Sequence, residues 1–480
     1  MILARGCRVP RTRNLLFTYR ARVKLAISPF APFPMPLKSV HITNYYHKNS
    51  GGISTSFNNL MAAAEQHRRH VRLIVPGETE GEEDVNDFAK IYYVPAKYSP
   101  VFDKRYRLIM PWQYMGGDSI IRRILEKEMP DFVEITDKYT LSMFGAMVRR
   151  GSFKKLGRPM LVHFSCERMD DNVASFLSKG KFGRWLAASV IGNYILPSFD
   201  FHIANSTYTA EEFSNSLANR SKGFLNLCWR FFKAPRLPVD ERIRVCPRGV
   251  DSAHFSPNRV SADVRREMIE RSGVPENATL LLYAGRISPE KNVELFVETM
   301  QVLARDADRD YRLLVAGAGP QSDWLGEETR QHFSGKIIQL GHVDKDLLAG
   351  FYANADVFVH PNPREPFGIA PLEAMASGVA TLAPNSGGIL SYATNENAWL
   401  VAPSGESFAD GVREIVGDEA ARKRKIENAL ATARANTREA STDFLFATYD
   451  ENYHEFERRR DEFTDREAAS SFDFARLLHA

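Results

Sequence analysis

Two glutamates eight residues apart frame the most chemically loaded segment of this 480-residue chain, Glu365-Pro366-Phe367-Gly368-Ile369-Ala370-Pro371-Leu372-Glu373. An ionised carboxylate accepts hydrogen bonds from vicinal hydroxyls, so a pair suits a hexose on one side and a ribose on the other. Between them, Pro366 and Gly368 introduce a helix whose start exposes the backbone N–H groups of Phe367, Gly368 and Ile369, a favourable place for an anion. A second cluster supplies positive charge: Gly285-Arg286-Ile287-Ser288-Pro289-Glu290-Lys291-Asn292. Ser288 and Pro289 read as N-cap and first turn of a helix. Arg286 and Lys291 then flank a strand-to-helix turn, where they can hold a diphosphate and neutralise a departing nucleotide. Each residue alone reads as a solvated side chain; their combination points to sugar-nucleotide chemistry.

Such groups need sheet edges to hold them. Lys38–Thr43 reads as a strand, Gly51-Gly52 as a tight loop, and Ile53, Phe57, Leu60, Met61 and Ala64 as one helix face, with Val71–Val75 the next strand. Phe132–Ile135, Met160–Phe164 and Phe201–Ala204 continue the series. A second series contains Thr279–Ala284, Tyr311–Ala316, Lys336–Leu340 and Val357–His360. Repeated β-α-β units build parallel sheets with ligands at the carboxyl ends of the strands. The expected fold class is α/β, with two Rossmann-like domains facing across a cleft. The boundaries are a basic leader at 1–36, an N-terminal acceptor-side domain at 37–250 and a C-terminal sugar-nucleotide domain at 251–440. Residues 441–480 form a helix returning to the N-terminal domain, and a tail.

These motifs resemble the retaining GT-B glycosyltransferases of family 4, the group 1 transferases, over most of Lys38 to about Phe456. Arg248-Gly249-Val250-Asp251, Asn205-Ser206, Gly387-Gly388 and Leu400-Val401-Ala402-Pro403 add to the likeness. The resemblance implies transfer of a hexose from a GDP- or UDP-linked donor to a hydroxyl, with retention of anomeric configuration. It implies that Arg286 and Lys291 bind the donor diphosphate, that Glu373 holds the ribose, and that Glu365 with the backbone of Phe367, Gly368 and Ile369 holds the transferred sugar. The turn Gly341-His342-Val343 would border the base, Gly52 would approach the donor phosphate, and His163 matches the position of the family's active-site histidine. Glycan, lipid-linked and small-molecule acceptors all fit. A sugar-nucleotide epimerase, or a catalytically silent sensor or scaffold, is the alternative on the same fold.

No metal or cofactor is expected. Asp344-Lys345-Asp346 more simply caps a helix, Asp308-Arg309-Asp310 precedes a strand, and Gly317-Ala318-Gly319 lacks the third glycine of a dinucleotide fingerprint. Of the net charge of +4, residues 1–40 carry +8, which leaves a mildly acidic body and argues against nucleic-acid binding. The leader's Ser28–Pro36 segment is proline-studded, and a translation start at Met35 is the simpler reading. Four scattered cysteines suit reduced thiols in a cytoplasm. The stretch Arg220–Arg236 alternates basic with bulky apolar residues; it reads as an insertion packed on the N-terminal domain, and also suits peripheral contact at the inner face of a membrane.

Overall fold

The computed structural model describes residues 36–47, 52–99, 106–176, 181–217 and 222–464. The leader up to residue 35, Ser50 and Gly51 of the glycine loop, Arg220 and the tail from 465 onward lie outside the described residues. Two sheets organise the chain. The first runs β10-β9-β8-β7-β1-β2-β4-β3, built from β1 (Ser39–Ile42), β2 (Val71–Gly77), β3 (Gly81–Asp84), β4 (Ala89–Pro95), β7 (Phe132–Ile135), β8 (Met160–Ser165), β9 (Phe201–Ala204) and β10 (Ile243–Val245). Its pairings are parallel except β3 on β4. A short antiparallel ribbon joins β5 (Lys97–Tyr98) to β6 (Arg107–Leu108).

The second sheet runs β13-β12-β11-β14-β15-β16 and is parallel throughout. Its strands are β11 (Thr279–Ala284), β12 (Tyr311–Ala316), β13 (Ile337–Gly341), β14 (Val357–Val359), β15 (Ala380–Pro384) and β16 (Trp399–Val401). Helices cover both faces, which is why β8 and β11 are near-continuous apolar runs rather than alternating ones. Strand order reverses between β1 and β7 in the first sheet and between β11 and β14 in the second. Such reversals splay the following loops apart and leave a crevice at the carboxyl ends.

The chain crosses between the two sheets twice, near 247–250 and 436–438. The crossings pair through Val250 and Thr437, with Val250 N–H donating to Asn436 O at 2.9 Å and Arg438 N–H to Val250 O at 2.8 Å. The helix Arg438–Arg458 then packs on the first sheet, burying Phe446, Tyr449 and Phe456 against a cluster that includes Phe57, Leu73 and Phe132. Tyr449 Oη donates to the buried Glu134 at 2.6 Å, and Glu134 also contacts His41 at 2.9 Å.

Two local expectations change. Ser288-Pro289 opens only a single 3-10 turn, Pro289–Lys291, because Asn292 adopts φ 56°; the α-helix begins at Glu294. Residues 222–231 form a regular helix that buries Leu225 and Trp229 but leaves Phe224, Leu227 and Phe231 exposed, so the stretch is not simply packed away.

Candidate functional site

The loops after β11 and β14 meet at the reversal point of the second sheet. After β11, Tyr283 Oη donates to Arg286 O at 2.8 Å and fixes the turn that carries the half-buried Arg286. The left-handed Asn292 donates from Nδ2 to Pro361 O at 3.0 Å, which ties this turn to the loop after β14. Lys291 is thereby brought over that loop, and its Nζ donates to Glu365 Oε2 at 2.8 Å. Asn362 Nδ2 donates to the same oxygen at 2.9 Å, and His360 Nε2 lies 3.7 Å from it. Burial alone would raise the Glu365 pKa; the charge of Lys291, then His360, outweighs it and holds the carboxyl at about 2. The site thus contains an ionised carboxylate held by an ammonium and an amide.

A glycine makes this loop possible. Gly388 N–H donates to Glu365 O at 2.6 Å, and a Cβ on Gly388 would stand 2.0 Å from Pro366 O, so no side chain fits there. Gly388 belongs to the Gly387-Gly388 pair of the sequence motif. The helix Ile369–Ser377 starts directly after Gly368 with no side-chain cap, which leaves N–H groups of its first turn without intrahelical partners. Phe367 is buried against the Tyr392 ring, and Val343 is also buried, so these two can serve a ligand only through their backbone.

Glu373 lies one turn before the end of that helix. Tyr352 Oη donates to its Oε2 at 3.2 Å. Here burial prevails over Tyr352 and Lys345, and the carboxyl is pushed up to about 7. Glu373 faces a cavity of about 220 Å³ shared by both halves of the molecule, with Gly52, Thr55, Arg248, Ile369 and Arg438 among its walls. Gly52 begins the helix Gly52–Gln66, and its missing Cβ would lie 3.2 Å from the Arg248 guanidinium and 4.0 Å from Ile369 Cγ2. Two helix starts, one from each sheet, therefore converge on Arg248. Beside them Ser206 Oγ donates to Pro366 O across the cleft. Asp344 caps the helix Lys345–Asn354 that carries Tyr352.

One expected residue is not in this constellation. His163 is fully buried, its ring centroid 5.3 Å from Phe199, 5.6 Å from His202 and 5.8 Å from Phe213. The reason is alternation along β8: Val162 and Phe164 point to the sheet face covered by the returning helix, while His163 points to the opposite, equally covered face. Burial, then Lys138, pulls its pKa well below the usual range, so it stays a neutral core ring. The active-site role expected of His163 is therefore not met: its ring lies in the core. His360, Asn362 and Asn292 went unrecognised in the sequence, where no cap, spacing or charge pair marks them.

Comparison with known proteins bears on the family and the fold. The family model described as "Glycosyl transferases group 1" matches residues 264–432, and "Glycosyl transferase 4-like domain" matches residues 51–223. The chain is 27% identical over 383 residues to the GDP-mannose-dependent alpha-(1-6)-phosphatidylinositol dimannoside mannosyltransferase of Mycobacterium tuberculosis, covering 79% of this chain and 88% of that protein. It is 23% identical over 364 residues to a GDP-mannose-dependent alpha-mannosyltransferase of Corynebacterium glutamicum, covering 74% and 73%. Its fold matches sucrose-phosphate synthase from Thermosynechococcus elongatus with a TM-score of 0.66 at 17% identity, over 87% of this chain and all of that one.

Proposed function

Since this chain belongs to the group 1 glycosyltransferases, a retaining hexosyltransferase of GT-B fold, we propose that its donor is GDP-mannose and its acceptor a lipid-borne polyol. The observation that carries the site is the Lys291–Glu365–Asn362 cluster at the β11/β14 reversal. A cation beside a fixed carboxylate supports a diphosphate subsite next to one for sugar hydroxyls. Two relatives that align over about three quarters of the chain are named as GDP-mannose-dependent mannosyltransferases, which supports guanine and mannose over the UDP-linked alternative.

In this reading Arg286, Lys291 and the N-terminus of Ile369–Ser377 stabilise the diphosphate as the bond to the anomeric carbon breaks. Glu373 accepts from the ribose hydroxyls, and Glu365 from the sugar. No metal is required, because protein cations supply the charge. With His163 in the core, the acceptor proton goes in this reading to the departing diphosphate oxygen. Retention follows when the hydroxyl enters on the face the diphosphate leaves.

The acceptor's lipid character draws on a face of the N-terminal half. The helices Lys181–Val190 and Lys222–Phe231 contain no acid, and both contact the π-helical turn Ile191–Ile195. They expose Phe182, Trp185, Leu186, Phe224, Leu227 and Phe231 among Lys181, Arg184 and Arg230. Exposed aromatics among cations suit an anionic bilayer surface. Among the described residues no helix is long and apolar enough to cross a membrane. The described cysteines are free thiols, which fits the cytoplasmic side. The test is product analysis: GDP-mannose with a polar-lipid extract, in EDTA, should give one mannosylated lipid with an α linkage. Hydrolysis alone with every lipid fraction, or an absolute metal requirement, would overturn the reading.

A further inference from the structure

His360 lies at the carboxyl end of β14 with only 4% of its surface exposed, and neither ring nitrogen has a hydrogen-bond partner. Its backbone is pinned by donation to Leu382 O at 2.9 Å. A buried imidazole with both nitrogens unpaired is unfavourable unless a partner arrives during function. The nearest one is Glu365 Oε2, 3.7 Å from Nε2. That oxygen is occupied here by Lys291 and Asn362. Lys291, however, is with Arg286 one of the two cations assigned above to the donor diphosphate, and one ammonium shared with a diphosphate holds a carboxylate less firmly.

We propose that His360 is a positioning residue, which takes hold of Glu365 through Nε2–H when the donor diphosphate draws Lys291 off that carboxylate. A shift of roughly 0.5–1 Å closes the gap to hydrogen-bond length. Glu365 then keeps its orientation toward the sugar although its ion pair has weakened. In the free protein the ring is neutral: burial lowers its pKa, and Lys291 opposes the pull of Glu365, leaving it at about 4. The hand-off rests on the donor-site reading given above.

The test uses His360→Leu and His360→Gln in the full chain, with GDP release from GDP-mannose as turnover and titration of GDP alone as the binding control. GDP lacks the sugar that Glu365 would hold. The expected result for H360L is a fall of at least about tenfold in turnover at saturating donor, with the GDP Kd within about twofold of wild type. H360Q, whose amide can donate to Glu365, should recover at least half of the lost rate. Full activity in H360L, equal loss in both variants, or a GDP Kd that weakens in parallel would overturn the proposal. Should H360L not fold by circular dichroism, His360→Met replaces it with the same expectations. If the wild type binds no nucleotide, the donor-site reading itself fails, which is visible before any variant is made.

Discussion

Glu365 and Glu373 are the same side chain in opposite electrostatic settings, and pH separates them. Glu365 is held at about 2, so its ion pair stabilises the fold above the ordinary carboxylate pKa and is lost as pH falls through 2. Glu373 is raised to about 7, so its contribution is complete below the ordinary carboxylate pKa and is lost as pH rises through 7. Glu373→Gln should therefore be more stable than wild type at pH 8, by at most roughly 3 kcal/mol at 1.36 kcal/mol per pKa unit. The gain should vanish near pH 4, while GDP affinity falls; urea unfolding at the two pH values checks the first part and titration the second. Arg286→Ala should lower kcat by about 10²–10³ without unfolding, as loss of a charge-stabilising donor does; steady-state kinetics with GDP-mannose decides it. Arg286, Lys291, Glu365 and Glu373 were legible in the sequence because each sits in a local strand-loop-helix motif. His360 and Asn362 were not, since their role arises only where β14 lies beside β11. His163 was misread because a strand-end histidine looks the same in sequence whichever face it points to.

At the level of elements, the two loops of the site are held by backbone contacts that admit no side chain. Gly388→Ala would set a Cβ 2.0 Å from Pro366 O and push the Glu365 loop outward. We expect kcat/KM to drop at least about tenfold, with a stability loss of about 1–3 kcal/mol, seen by kinetics and denaturant unfolding together. The parallel strands were readable as apolar runs that stop at polar loops. The edge strand β3 was not, because it is fully exposed and carries Glu82, Glu83 and Asp84. The helix Lys222–Phe231 was read only within a mixed basic and apolar stretch, where the exposed Phe224, Leu227 and Phe231 cannot be told from the buried Leu225 and Trp229. Replacing Phe224, Leu227 and Phe231 together by Ser should abolish flotation with anionic vesicles and leave GDP binding unchanged. Unaltered flotation would remove this face from the membrane reading.

For the whole molecule, the decisive feature is that the chain passes twice between its halves and that the two passages are bonded to each other. A Cβ on Gly249 would stand 2.0 Å from Thr437 O, so Gly249 is where the passages press together. Next to these passages lies the cavity lined by Arg248, Glu373 and Arg438, and at the Ser206–Pro366 edge the two halves are already in hydrogen-bond contact. The two-domain plan was legible from the two strand series, whereas the pairing of the passages was not, because Val250 and Thr437 are far apart in sequence. The central claim is that a nucleoside diphosphate binds where β11 and β14 part, held by protein cations. The measurement that tests it most directly is calorimetric titration of GDP and UDP, in EDTA, into wild type and into the double variant Arg286→Ala/Lys291→Ala. The account predicts that the wild type binds GDP more tightly than UDP, and that the folded double variant loses at least about 100-fold, or 2.7 kcal/mol. Undiminished binding by the double variant, or none by folded wild type, would contradict it.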